Sequence, residues 1–152
     1  MFRLALVLAL VSSARADDRP IHGSAMLGGT LLATGANGDR QRGELEVDVL
    51  PYSRYGALLA WRAFDSSHAG LVMAGLVYEA AAARPRLVLD LHADVGADLD
   101  QRAPALGGGV HAVITLLGPV GVALDAGGYL VIDGVQNTRF AIAGTAGLGV
   151  LW

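Results

Sequence analysis

Leu87-Val88-Leu89-Asp90-Leu91-His92-Ala93-Asp94-Val95 alternates without a break: every odd position is apolar, and 90, 92 and 94 are polar. A period of two residues is the signature of a strand with one greasy and one polar face. Glu44-Leu45-Glu46-Val47-Asp48-Val49 repeats the pattern, acidic on one side and aliphatic on the other. The segment ending at Trp152 puts Phe140, Ile142, Gly144, Ala146, Leu148, Val150 and Trp152 on one face, opposite Arg139, Thr145 and small residues. Twenty-one glycines run through the chain. Each costs about 1 kcal/mol against Ala inside a helix, so long helices are disfavoured.

Eight such segments follow one another: 22–33, 43–50, 55–64, 70–79, 86–95, 106–116, 120–132 and 138–152. Most have about the 9–11 residues that a tilted strand needs to cross a bilayer. Their connections alternate in character. Residues 34–42, 65–69, 96–105 and 133–137 are polar or turn-rich, while Pro51–Arg54, Ala80–Pro85 and Leu117-Gly118-Pro119 are plainer. Gly35-Ala36-Asn37-Gly38-Asp39, with Arg40 and Arg42, reads as one polar loop tip. That asymmetry is the one expected of a membrane barrel with long outer loops and short inner turns.

Apolar residues make up 53% of the 152 and charged residues 16%, against roughly 45–50% and about 25% in ordinary soluble domains. Disorder is excluded. The chain opens with Met1-Phe2-Arg3, an apolar run from Leu4 to Val11, and Ser12-Ser13-Ala14-Arg15-Ala16. This predicts an export signal over 1–16, cleaved before Asp17, with one domain over 17–152. Without Arg3 and Arg15 the chain has nine Arg against 14 acids, a net of −5, with no basic run. Nucleic acid is therefore not an expected partner. Cysteine is absent, so an exported domain needs another stabilising device. Closing a sheet into a barrel, which leaves no free edge, is one. About 136 residues over eight strands leaves about 17 per strand with its connection; ten strands would leave under about 14, too tight for the span.

The closing segment, with Phe140, Leu148, Val150 and Trp152, resembles the C-terminal assembly signal of bacterial outer-membrane barrels. With the signal segment, the absent cysteine and the strand count, the chain resembles the small eight-stranded barrels of the outer-membrane protein A and protein X type. The likeness covers about residues 20–152 as a pattern. It implies an all-β fold: a closed, eight-stranded, antiparallel, up-and-down transmembrane barrel in a bacterial outer membrane. It implies a lumen filled by side chains and a structural, adhesive or interfacial role without catalysis or cofactor. Its implied partners are the barrel-assembly machinery, through the strand ending at Trp152, and membrane lipid with lipopolysaccharide. Aromatics Tyr52, Tyr55, Phe64, Tyr78, Tyr129, Phe140 and Trp152 fall near strand ends, where a headgroup girdle would sit, and Trp61 falls nearer a middle. Leu58, Phe64, Leu71, Met73 and Val77 fall on the lumen side, which requires either an apolar plug there or a different register.

Two other architectures compete. Val110 to Ile132 contains one acid, Asp125, and has the hydropathy of a transmembrane helix, with Ala69 to Ala83 as a shorter second. Gly118-Pro119 at its centre reads instead as a hairpin turn. A soluble exported β-barrel is the other.

Three polar sets carry candidate chemistry. Asp90, His92 and Asp94 share a face, and His111 returns on the next segment, opposite His92 if the turn centres near 101. Two imidazoles and two carboxylates in one layer are a ligand set for zinc, copper or nickel. The plainer reading is a polar lumen in which Glu46, Asp48, Arg62, Asp90, Asp94, Asp125 and Arg139 neutralise one another. His22-Gly23-Ser24 puts a base and a hydroxyl two apart on one strand, the spacing of outer-membrane lipid A deacylases, and would make the chain a lipid-modifying enzyme. Its place at the periplasmic start of the first strand opposes that reading, and Ser66-Ser67-His68 is a loop imitation. Gly107-Gly108-Gly109 lacks the Lys and Ser/Thr of a phosphate loop and is expected to allow a bulge or tight curvature.

Overall fold

The computed structural model describes residues 21–35, 41–51, 54–64, 68–83, 86–134 and 138–152. The expected signal segment, Tyr52, Ser66, Ser67 and the 36–40 loop tip lie outside them. Eight strands follow in order: β1 (Ile21–Gly35), β2 (Gln41–Pro51), β3 (Tyr55–Phe64), β4 (Leu71–Ala83), β5 (Leu87–Asp98), β6 (Ala103–Leu117), β7 (Val120–Val131) and β8 (Arg139–Leu151). Each pairs antiparallel with the next, and β8 returns to β1, so the sheet closes as an up-and-down barrel. All eight expected strands are present. No described helix is long and apolar enough to cross a membrane. The stretch with helical hydropathy is the β6–β7 hairpin. Gly118, at φ +58°, takes the left-handed first position of its two-residue turn, and Pro119 follows. A type II′ turn wants that pairing of a positive and a fixed negative φ.

Register partners trace the strand tilt. Starting at Ser24, they pass through Asp48, Leu58, Gly75, Asp94, Gly107, Tyr129 and Ala141, and return to β1 at Gly35. The return lies eleven positions along β1, ten without the extra residue of the bulge between Thr30 and Leu32. Ten residues of rise over eight strand spacings fix a tilt of about 40° and a radius of about 8 Å, a lumen that side chains can fill.

Alternation sorts the two faces. Inward positions include Met26, Glu44, Glu46, Asp48, Leu58, Arg62, Asp90, His92, Asp94, His111, Asp125 and Thr145, all buried. Outward positions include Leu45, Leu59, Leu91, Val110, Val122, Leu124, Ile142, Leu148 and Val150, all exposed. Leu58, Phe64, Leu71, Met73 and Val77 are buried in the lumen, so the register stands and the interior is apolar there. The apolar filling forms two plugs. Ala60, Phe64, Leu71, Met73, Ala105, Tyr129 and Val131 close the end with the longer loops, where the Phe64 and Tyr129 rings meet edge-on at 5.5 Å. Met26, Ala82, Val88, Val113, Ala123 and Leu151 close the turn end. Most of the charged side chains lie between them, with His22 and Glu79 near the turn end and Asp98 and Arg139 near the loop end.

Several local expectations change. β4 runs on to Ala83 because a bulge between Glu79 and Ala81 inserts one residue and turns Ala82 inward. Gly107-Gly108-Gly109 holds unbroken register on both sides, and the β6 bulge lies at Thr115–Leu117. Gly109 serves space instead: a Cβ there would stand 2.6 Å from the Ala126 carbonyl and 2.8 Å from His92 Nε2. Phe64 and Tyr129 face the lumen and belong to no girdle, because their positions share the parity of Arg62 and Asp125. Trp61, expected nearer a strand's middle, sits at the loop end, where its indole N–H donates to the Ala69 carbonyl at 2.9 Å. Phe140 is exposed at the same end, and Tyr55 and Tyr78 pair at 5.0 Å at the other. Trp152 bonds backbone to backbone with Gly23, and a Cβ on Gly23 would meet its ring at 2.8 Å.

Candidate functional site

The polar layer is built by register. Asp90, His111, Asp125 and Thr145 are successive partners on β5, β6, β7 and β8, so they form one row across the wall. From the facing wall, β2 contributes Glu44, Glu46 and Asp48, and β3 contributes Arg62. Burying so many charges is tolerable only if they pair. Arg62 is the central cation: its Nε lies 2.7 Å from Glu44 Oε1, with Nη1 3.6 Å from Asp94 and Nη2 3.9 Å from Glu46.

The two lumen histidines occupy separate nodes. The β5–β6 turn centres between 100 and 101, so His111 faces Asp90, and His92 faces Gly109. The expected facing of His92 and His111 is thereby corrected by two residues. His92 bridges two acids, with Nδ1 2.8 Å from Asp94 Oδ1 and Nε2 3.2 Å from Asp125 Oδ2. His111 turns to β2 and β1, with Nδ1 2.7 Å from Glu46 Oε1 and Nε2 3.4 Å from Ser24 Oγ. A group able to hold a cation consists of Glu46, His111 and Asp125, whose ligand atoms all lie within 4.8 Å of one another. It shares only His111 with the set expected from spacing (Asp90, His92, Asp94, His111). Glu46 and Asp125 were legible as lumen acids, but nothing local joins β2 to β7.

His22 and Ser24 both point inward but do not address each other. His22 Nε2 lies 3.3 Å from Glu79 Oε2. Ser24 donates its backbone N–H to Asp48 Oδ1 at 2.9 Å and its hydroxyl to Asp48 Oδ2. Ser24, His111 and Glu46 thus fall in the order of a nucleophile, base and acid. The Ser24 proton is committed to Asp48, however, and the side chain is buried at 1% exposure. A void of ≈ 10 Å³ beside Arg62, Asp125 and Tyr129 holds about one water.

At the loop end, Asp98 accepts from Arg139 at 2.7 Å and caps its own turn through the Asp100 and Gln101 N–H groups. Asp100 reaches across to the β3–β4 connection. Its carboxylate accepts from the N–H groups of His68, Ala69 and Gly70 at 3.0–3.1 Å. These bonds, led by that from Gly70, hold the Asp100 carboxyl below the usual carboxylate range. A depressed carboxyl stabilises above its unfolded pKa and ceases to do so as pH falls through the folded one. The clamp should therefore hold at neutral pH and loosen only in acid, below the ordinary aspartate value. Asp100→Ala should speed amide exchange at Ala69 and Gly70 several-fold at pH 7 and remove its acid dependence. Exchange unchanged by the substitution would show that the loops are held otherwise.

The fold and this layer define a class: a closed, eight-stranded antiparallel barrel with an apolar exterior and a charged, side-chain-filled lumen. Comparison with family models, curated proteins and solved structures finds no match to this chain.

Proposed function

We propose that the chain is a small integral barrel of a bacterial outer membrane, structural or interfacial in role and not catalytic. One observation carries this. Among the residues whose side chains are described, the outward strand positions are apolar, save exposed Arg42 at the loop end of β2 and the polar tips of Tyr55, Trp61 and Tyr78 near the strand ends, while the acids and histidines of the strands turn inward. Soluble monomers rarely expose continuous apolar patches beyond a few hundred Å². Here the apolar surface runs round the whole girth, and strands of 10–15 residues at the derived tilt give a height of roughly 25–40 Å. Water would penalise that surface, and a bilayer rewards it. Every strand in the ring is paired on both sides, as a lipid-facing sheet requires.

On this reading residues 1–16 direct export, the turn end faces the periplasm and the longer loops face outward beside lipopolysaccharide. β8, alternating up to Trp152, is the strand offered to the barrel-assembly machinery. The full chain expressed in a diderm host should stay in the membrane pellet after carbonate extraction. It should also migrate differently on gels before and after boiling. Release into the carbonate supernatant would instead establish a soluble barrel and remove the membrane reading.

A further inference from the structure

The polar layer holds more carboxyl groups than its own cations can offset. Glu44, Glu46, Asp48, Asp90, Asp94 and Asp125 are all buried there, against Arg62, His92 and His111. Even with both imidazoles charged, the acids exceed the cations by three. Arg62 is drawn to Glu44, and His92 to Asp94 and Asp125 Oδ2. Glu46 and the second oxygen of Asp125 lie beyond their main contacts.

We propose that Glu46, His111 and Asp125 bind one divalent transition cation of the zinc type inside the barrel. Their ligand atoms, within 4.8 Å of one another, stand close enough for one ion with bonds of about 2.0–2.2 Å to reach all three after small side-chain movements. Two buried atoms point to the same place. Glu46 Oε2 is buried without a hydrogen-bond donor, and His111 Nδ1, although 2.7 Å from Glu46 Oε1, is not aligned to donate to it. These are polar atoms that a cation would satisfy. Three side chains supply three of the four ligands that zinc favours, and one imidazole with two carboxylates suits first-row ions over calcium or magnesium. With His111 neutral as a ligand the acids exceed the cations by four, and a dipositive ion would halve that excess. Because apolar plugs close both ends, the ion enters as the barrel forms and then exchanges slowly.

Cobalt(II) is the probe. The full chain is unfolded in urea, refolded into detergent micelles with Co²⁺, and passed through a chelating column; metal content and visible absorption are then read. The expected result is about one Co²⁺ per folded barrel with ligand-field bands in the visible. Glu46→Gln and Asp125→Asn should each lower retention at least tenfold, while Asp98→Asn, at the rim, should leave it unchanged. Folded wild type, recognised by its gel shift on boiling, that retains no Co²⁺ overturns the proposal and leaves protons to neutralise the layer. Equal retention in the Glu46 and Asp125 variants overturns it too. Should those variants fail to fold, the wild-type stoichiometry and spectrum decide alone. Failure here leaves the membrane reading intact, because carbonate extraction tests that separately.

Discussion

Leu91→Arg should destabilise the barrel in lipid bilayers by roughly 2–4 kcal/mol, the cost of an arginine at the midplane of a membrane barrel. Leu91 is the central outward residue of β5, with Leu87 and Leu89 on one side and Ala93 and Val95 on the other completing an apolar row. Leu117→Arg makes the comparison informative. Leu117 is exposed as well, but it lies at the β6–β7 turn beside Gly118. There the guanidinium reaches the interface, and the cost falls to about 0–1 kcal/mol. A soluble barrel would show neither the cost nor its depth dependence, since surface substitutions stay within about 0.5 kcal/mol. Urea unfolding from phospholipid vesicles, followed by Trp61 and Trp152 fluorescence, measures both. Equal and small effects at the two positions would place the exterior in water.

Arg62→Met should cost about 3–5 kcal/mol, the range seen when one partner of a buried ion pair is removed. The guanidinium is 4% exposed and lies within 4 Å of Glu44, Glu46 and Asp94. Its loss leaves three carboxylates facing one another, with Met supplying volume but no charge. Adding Glu44→Gln should recover part of the loss, because the closest contact, 2.7 Å, no longer needs a cation. Equilibrium unfolding of the single and double variants gives the coupling directly. A loss under about 1 kcal/mol for Arg62→Met would show that water or protons, not Arg62, neutralise the layer.

The alternation of Leu87–Val95 assigned faces correctly because side-chain direction in a strand depends only on parity. It needs no knowledge of neighbours. The same reasoning placed Glu46, Arg62, Asp125 and the row from Phe140 to Trp152 on their proper sides, and Gly118-Pro119 marked the hairpin that excludes a helix. It failed where parity is locally broken or depth matters. The bulge at Glu79–Ala81 shifts the phase of β4, and Tyr129, although near a strand end, turns inward with the parity of Asp125. The His92–His111 pairing failed by two residues, since the centre of a turn containing Asp98, Asp100 and Arg102 is set by backbone conformation, with Arg102 at φ +54°.

The sequence by itself determined eight strands, their order and the face of most side chains, through short-range periodicity and turn chemistry. Only the tertiary structure decided which lumen groups meet. Glu46 reaches His111 and Asp125 from the opposite wall because a ring of eight strands closes with a stagger of ten residues. That stagger is a sum of registers around the circuit, and no single stretch of chain encodes it.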